Sequence, residues 1–550
     1  MQLNRVFPGL RRDNLRGDFY GGVTAAVVAL PLALAFGVAS GAGAIAGLWG
    51  AIFVGFFAAL FGGTPSQVSG PTGPITVVMA VVITEYAYDL RLAFTVVMLA
   101  GTMQILFGVL KLGRYIAFVP FTVVSGFMSG IGLIIIIIQL APLIGFDSSR
   151  DGVVSALTDL PDLATDPVFD AVAVGLLALA ISIFLPRRLR TYAPPALVAL
   201  IAGTLTALFV LDGAPVLGDI PSGLPDAQLP TFTTSEFPGM LASALILAIL
   251  GSIDSLLTSL IADSVTRTYH NSDRELVGQG IGNIFAGFFG ALPGAGATMR
   301  TMINVRAGGR TSLSGTIHAL VLLALVLGLA PLAEDIPDAV LAGILLKVGW
   351  DIIDWSYLRR IRRAPRDEVV VMLTVLALTV FVDLITAVGV GVIMASLVSA
   401  RKLSGHQLSQ LRIFTRDADT AALTEEERAL MESAGGQVLL LHLNGPFTYG
   451  SAKGMVQLLS GKGDGYRCVV FDFSEVPMID GSIAMAIEEL LDQARSSNQE
   501  VFISGLKGQA LDVLESLSVL DVVPVEHRVE DRARALELAI AASMKPLPAG

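Results

Sequence analysis

Long apolar stretches separated by short polar breaks fill the chain from about residue 18 to residue 400. Several reach the roughly 20 residues that carry an α-helix across a hydrocarbon core. Setting apolar runs against polar breaks predicts fourteen crossings, at 18–40, 45–64, 72–84, 92–110, 118–143, 168–185, 194–211, 240–262, 275–291, 297–305, 313–331, 337–349, 367–382 and 385–400. Beyond residue 403 the pattern changes. Short alternating runs such as Val438 to Leu443 and Cys468 to Phe473 replace the long ones, which is the rhythm of strands in a soluble α/β domain. The expected organisation is an α-helical, polytopic membrane domain over 1–403 followed by a soluble α/β domain over 404–550.

Seven crossings precede the long loop at 212–238 and seven follow it. An odd number per half gives the halves opposite orientation, so the pattern predicts an inverted repeat, about 18–212 against 238–400. The third element of each half is anomalous. Ser69-Gly70-Pro71-Thr72-Gly73-Pro74 cannot sit cheaply inside a helix, and the apolar run that follows ends at Thr84. Eleven residues, Pro74 to Thr84, rise only about 16 Å as helix, half of a roughly 30 Å hydrocarbon core. In the second half Pro293-Gly294-Ala295-Gly296-Ala297-Thr298 precedes an equally short run ending near Arg306. Irregular backbone at membrane depth survives only where protein or a water-filled cavity covers it. Two short helices starting near the midplane would aim their unsatisfied N–H groups and positive dipole ends at one point, which suits an anion.

Composition agrees with a membrane chain: of 550 residues 53% are hydrophobic and only 15% charged, with mean hydropathy +0.71. The net charge of −11 is uneven, with 12 basic and 21 acidic residues from Ser404 onward against 24 and 26 before it. An acidic tail without a basic, aromatic-studded face argues against nucleic acid as a partner. Lys and Arg cluster on alternate sides of the predicted crossings: Arg5, Arg11, Arg12 and Arg16, then Lys111 and Arg114, Arg187 to Arg190, Arg267 and Arg274, Arg306 and Arg310, Arg359 to Arg366, and Arg401 with Lys402. The opposite loops carry Glu85, Asp89, Asp147, Asp151, Asp212, Asp219, Glu334, Asp335 and Asp338. The positive-inside rule then predicts a multi-pass protein of the cell (inner) membrane with both termini cytoplasmic. The apolar run after the N-terminal arginines is too long for a signal peptide. Cys468 is the only cysteine, which excludes a disulfide framework. The five histidines show no metal-ligand spacing. Gly308-Gly309-Arg310-Thr311 lacks the Gly-Lys-Ser/Thr of a phosphate loop, and no ATP motif suggests a primary pump or an enzyme.

Candidate chemistry sits at the midplane. Asp254 is the only ionisable residue from Met240 to Ala262, and a carboxylate in lipid costs roughly 2.5 to 3.5 kcal/mol, so it should face protein or water. Thr258, four residues on, shares its face. A carboxylate with hydroxyl and carbonyl oxygens beside it can hold Na⁺, and a desolvated one can carry a proton; both remain open. Arg300, two residues after Thr298, could make a bidentate pair with a carboxylate or sulfate, or serve as a structural partner of Asp254. Phe36, after Pro31, is a candidate pocket wall, though a Phe in an apolar helix more often packs.

Together, Ser69 to Pro74, Ser222-Gly223-Leu224-Pro225 with Leu229-Pro230, Glu275-Leu276-Val277-Gly278-Gln279-Gly280 and Gly294 to Thr298 resemble the SulP (solute carrier 26 type) family of anion transporters, most nearly its cyanobacterial bicarbonate transporters. The resemblance covers nearly the whole chain. It implies a seven-plus-seven inverted repeat with core and gate domains, a cytoplasmic STAS domain and a homodimer. Carried over, it makes Asp254, Thr258, Gly296, Ala297 and Thr298 the coupling-sodium positions and has Phe36, Thr72 and Thr298 line the substrate pocket. Gly73 and Ala297, at the two helix starts, are further candidate substrate-binding residues. Arg300 departs from the bicarbonate transporters, which have glycine there, and matches animal relatives that bind chloride or sulfate; a fixed positive charge favours a divalent anion. In the tail, Val469 to Phe473 followed by Met478-Ile479-Asp480-Gly481-Ser482 resembles the STAS pattern, in which the serine at the Ser482 position can be phosphorylated. Here Ile483 replaces the usual glycine, and Ser482 reads better as a helix N-cap.

The expected function is secondary active transport of a small anion (sulfate, a dicarboxylate or bicarbonate) by alternating access, coupled to H⁺ or Na⁺ and needing no cofactor. The alternatives are an uncoupled exchanger or channel-like conductor, and a membrane-tethered STAS signalling protein.

Overall fold

The computed structural model describes residues 12–118, 120–147, 153–190, 193–218, 223–329, 334–382, 384–415, 423–460 and 465–545. Arg5, Arg11, Asp151, Asp219 and Ser222 lie outside these, as do residues 119, 330 and 331 of the predicted crossings. Two compact units divide the chain, 1–395 and 396–550.

In the first unit each predicted crossing coincides with a helix: α1 (Arg12–Ala39), α2 (Ala44–Phe61), α3 (Gly73–Glu85), α4 (Leu90–Val109), α5 (Phe121–Ile138), α6 (Phe169–Phe184), α7 (Pro195–Phe209), α8 (Phe237–Thr266), α9 (Ser272–Phe288), α10 (Thr298–Arg306), α11 (Ser312–Leu329), α12 (Asp338–Ile352), α13 (Arg366–Phe381) and α14 (Leu384–Ser409), the last continuing past the division between units. Among the described residues six helices are long and apolar enough to cross a membrane, and shorter apolar ones include α3, α6, α7 and α11. α8 outruns its predicted end at 262, because Asp263 and Thr266 lie in a polar last turn that hydropathy cannot assign to a helix.

Helix packing separates two groups, each drawing on both halves. α1–α4 and α8–α11 pack on one another, with the heaviest contact between α4 and α9, and α5–α7 pack with α12 and α13. Small residues allow the close approaches, as expected where helices cannot gain hydrophobic free energy from leaving lipid. A Cβ on Gly101 would sit 2.6 Å from the Gly280 carbonyl oxygen, and one on Gly280 2.4 Å from that of Gly101. Buried carboxylates staple the first group. Glu275, 1% exposed, accepts from the backbone N–H of Gly63 and Thr64 at 2.9 Å and from the amides of Gln67 and Gln279 at 2.8 Å. Asp18 on α1 accepts from the N–H groups of Arg310 and Thr311 and the Thr311 hydroxyl, so a side chain of the protein itself fills the turn that superficially resembles a phosphate loop.

The second unit is a five-stranded sheet in the order β3 (Arg412–Phe414), β4 (Val438–Asn444), β5 (Cys468–Glu475), β6 (Glu500–Ser504), β7 (Arg528–Val529); β3 runs antiparallel to β4 and the other pairs are parallel. Helices α15 (Glu425–Ser433), α16 (Tyr449–Leu459), α17 (Gly481–Ser496), α18 (Gly508–Ser516) and α19 (Arg532–Ser543) cover it. The alternation expected of half-buried strands is absent in β4 and β5, whose first six residues are all buried. Separate apolar cores on the two faces account for this, one involving α16–α18 and the other α15 and α19, as parallel sheets require.

Candidate functional site

The two anomalous segments meet. Each contributes a two-residue strand, β1 (Ser69–Gly70) and β2 (Ala295–Gly296), paired antiparallel with Ser69 opposite Gly296 and Gly70 opposite Ala295. The Ala297 N–H extends the ladder to the Val68 carbonyl at 2.9 Å. This pairing satisfies backbone that no helix can satisfy at that depth. Close contact sets the residue types here: a Cβ on Gly296 would lie 2.2 Å from the Gln67 Nε2, and one on Gly294 2.5 Å from the Gly70 carbonyl carbon. Asn283 clamps Gly294 through both backbone groups, at 2.8 and 3.0 Å.

Directly after the crossing the two short helices begin. Thr72 is the N-cap of α3 and Ala297 that of α10, and neither end has a side-chain cap. Their first N–H groups and positive dipole ends are therefore open to an anion. α8 runs beside them and supplies a polar stripe. Asp254 Oδ2 accepts from the Thr72 hydroxyl at 2.8 Å; Thr258 lies 2.9 Å from the Gly296 carbonyl oxygen and 2.7 Å from the Thr298 hydroxyl; Ser255 accepts from the Gly296 N–H at 3.0 Å. Asp254 and Thr298 are partly exposed, whereas Thr72, Thr258, Gly296 and Ala297 are buried. Asp254, Thr72, Thr258, Gly296, Ala297 and Thr298 thus form one cluster, with Gly73 at the first position of α3. Phe36 is buried on α1, a helix that packs against both α3 and α10.

Arg300 is placed differently from the expectation. Its side chain is 2% exposed and donates through Nη2 to the Pro71 carbonyl oxygen at 2.7 Å, while Nη1 lies against Gly70, where a Cβ would come within 2.6 Å. It forms no ion pair with Asp254 or any other described residue. The guanidinium therefore braces the extended stretch before α3. Nη1 has no partner among the described residues.

Sequence reasoning missed Ser255, Ser259, Gln67, Thr301 and Asn283. Ser259 bonds Gln67 and Thr64, and Thr301 accepts from the Val68 N–H at 3.0 Å. A usable signal was present: Ser252, Ser255, Thr258 and Ser259 recur at three- and four-residue spacing inside an otherwise apolar helix. No group of three or more metal-ligating side chains occurs among the described residues. In the second unit Ser482 is exposed at the second position of α17, but it is not the cap: Asp480 accepts from the Ile483 N–H at 3.0 Å and from the Tyr449 N–H at 2.6 Å. Asp wins because its oxygen sits one residue before the first helical turn, where an N-cap acceptor must be.

Comparison with known proteins agrees with this architecture. The sulfate permease family pattern matches residues 15–405 and the STAS domain pattern residues 431–532. Bicarbonate transporter BicA of Synechocystis sp. is 47% identical over 536 residues, 96% of this chain and 95% of its own. The solved transmembrane domain of a cyanobacterial bicarbonate transporter BicA aligns with 54% identity and a TM-score of 0.66, covering 70% of this chain and all of that one. Murine Solute Carrier 26 family member A9, an anion transporter, shares the fold at 18% identity with a TM-score of 0.81, over 98% of this chain and 95% of its own.

Proposed function

Because the chain belongs to the sulfate permease (SulP) family of anion transporters and carries its STAS domain, we propose that it is a secondary active transporter that moves a small anion by alternating access with a cation bound at Asp254. The observation that carries this reading is the hydrogen bond from Thr72 to Asp254. It ties the carboxylate that would take the cation to the residue that caps the helix facing the anion. An anion at the N-termini of α3 and α10 is held by open N–H groups and dipole ends, with Thr72, Gly73, Ala297 and Thr298 at the contact and Phe36 as an apolar wall. The cation, Na⁺ or H⁺, would sit at Asp254 with Thr258 and the Gly296 carbonyl. Each charge lowers the cost of burying the other, and that mutual stabilisation is the physical basis of coupling.

Bicarbonate leads as substrate, with sulfate and small dicarboxylates as the competing candidates. The relative at 47% identity is named a bicarbonate transporter, and Arg300 is spent on Pro71. A guanidinium that lends only its field discriminates against a monovalent oxyanion less than a bidentate fork would. Arginine-rich loops on one side of the membrane support a cytoplasmic position for both termini, and a homodimer in the inner membrane is the proposed assembly. The test is uptake into proteoliposomes of labelled bicarbonate, sulfate and a four-carbon dicarboxylate, each under an inward Na⁺ or an inward proton gradient. Cation-driven uptake of one anion supports the reading. Flux without a cation gradient would replace it with exchange or conduction, and no flux would leave the STAS domain as the active part.

A further inference from the structure

The densest basic run of the chain follows α12. From Trp355 to Arg366 it carries Arg359, Arg360, Arg362, Arg363 and Arg366 and no carboxylate, whereas the other basic clusters hold two to four such residues each. All five guanidiniums are exposed, and none forms an ion pair among the described residues. Their one side-chain hydrogen bond among those residues runs from Arg359 Nε to the Trp355 carbonyl oxygen at 3.2 Å. The neighbouring carboxylates are engaged elsewhere. Asp351 pairs with Lys347, and Asp354 accepts from the hydroxyls of Ser125 and Ser356 and from the Tyr357 N–H. Asp367 and Glu368 stand in the first turn of α13, where the helix dipole favours negative charge. Five like charges within eight residues repel one another, so their counter-charge has to come from outside the run.

The run is also held as a fixed surface. Trp355–Arg360 is a short helix capped by Asp354, and Asp354 is tied to α5 twice, by the Ser125 hydroxyl at 2.8 Å and by its own N–H donating to Ser129 at 3.2 Å. The Tyr357 ring meets Phe121 of α5 edge-on, with centroids 5.9 Å apart. At the apolar boundary stands an aromatic pair. Trp350, in the last turn of α12, is 53% exposed and packs on Trp355 with centroids 4.3 Å apart, and the Trp355 indole N–H donates to the Trp350 carbonyl oxygen at 2.8 Å. Tryptophan at the end of an apolar helix belongs at the membrane–water interface, so the arginines that follow stand at headgroup level.

We propose that Arg359, Arg360, Arg362, Arg363 and Arg366 form a docking surface for the headgroups of anionic lipids, with Trp350 and Trp355 seated at the glycerol level beside them. Guanidinium forks match phosphate oxygens, and a juxtamembrane polybasic segment is drawn to an anionic leaflet. The lipid supplies the counter-charge that the chain does not. This surface lies apart from the paired helix starts, and the inference does not depend on which ion is transported.

The test uses the chain's few tryptophans. Trp49→Phe leaves Trp350 and Trp355 as the only ones, so their fluorescence reports on this surface alone. The full chain carrying that change is placed in phosphatidylcholine nanodiscs containing a minor share of lipid brominated near the glycerol, either phosphatidylglycerol or phosphatidylcholine. Brominated phosphatidylglycerol should quench about threefold more than brominated phosphatidylcholine at equal content, and the excess should vanish at high salt. Arg359→Gln/Arg360→Gln/Arg362→Gln/Arg363→Gln/Arg366→Gln should remove the excess, while Arg306→Gln/Arg310→Gln, which takes charge from another loop, should keep it. Equal quenching by the two lipids in the parent overturns the proposal without any arginine variant. An excess that survives the five glutamines, or that the Arg306/Arg310 change removes as fully, overturns the assignment to this run. Loss of the excess to inorganic phosphate at matched ionic strength would make this a site for free phosphate and overturn the lipid.

Discussion

Two aspartates, one in each unit, have opposite surroundings. Asp472 on β5 is 0% exposed and saturated: His442 Nδ1 lies 2.7 Å away, the hydroxyls of Ser474 and Ser504 and the Ser474 N–H donate to it, and Arg532 Nη1 lies at 3.2 Å. Arg532 in turn forks onto Glu427 at 2.6 and 2.9 Å. Asp254 is partly exposed and, among the described residues, accepts one hydrogen bond, from Thr72. A carboxylate whose acceptor sites are filled by its own protein is a structural fixture. One left under-satisfied at membrane depth, beside open helix starts, has capacity for something that comes and goes.

The largest difference between the two aspartates should appear when each carboxylate is removed and stability is read. Asp472→Ala leaves His442 and Arg532 without their buried acceptor and should cost the STAS domain about 3 to 5 kcal/mol, seen as early loss of protection of β4–β6 in hydrogen exchange of the full chain. Asp254→Asn keeps the shape and one acceptor, and should shift the unfolding midpoint of the first unit by no more than a degree or two. Equal destabilisation by both changes would erase the distinction.

Acid sharpens it next. Burial pushes the Asp472 carboxyl up, but hydrogen bonds from His442, Ser474 and Ser504 and the Arg532 charge together hold it at about 2. A folded-state value below the ordinary 3.8 gives stability that is present above pH 4 and lost as pH falls toward 2, worth roughly 2.5 kcal/mol. The STAS domain should therefore loosen over that window, and Asp472→Asn should abolish the dependence along with much of the stability. A pH-independent STAS signal between 4 and 2 would contradict the assignment.

A smaller effect is expected at Arg300. Arg300→Ala removes the brace on Pro71 and a buried charge, and should raise the KM for anion by about five- to tenfold, most for a divalent one, with kcat less affected. Unchanged KM for all anions would confine Arg300 to packing. Smallest of all, Glu427→Gln removes the charge that the half-buried Arg532 grips but keeps an acceptor oxygen in its place, and should cost the STAS domain about 1 kcal/mol.

The apolar runs made the helices legible in the sequence, and the glycines and prolines at 69–74 and 293–298 marked where two of them break. Asp254 stood out as a lone charge in an apolar stretch. The β1–β2 pairing did not, because two residues per strand carry no periodicity and the partners lie more than 220 positions apart. Arg300 was legible as a residue near the site but not in its direction, since sequence spacing fixes the face of a helix and says nothing of which backbone carbonyl a long side chain finds. Glu275 belonged to a recognisable stretch, yet only the fold shows why: it gathers four N–H donors from the turn before β1 and from its own helix. The cap of α17 was misplaced by two residues because Asp480 and Ser482 are both good N-caps and only the helix start separates them.

Asp254 is the proposed link between cation and anion. Its most direct test is uptake of labelled bicarbonate into proteoliposomes under inward Na⁺ and inward proton gradients, by the parent chain and by Asp254→Asn reconstituted at equal density. One gradient should accelerate uptake by the parent at least tenfold, and neither should affect the variant. Gradient-driven uptake by Asp254→Asn equal to the parent's would contradict it.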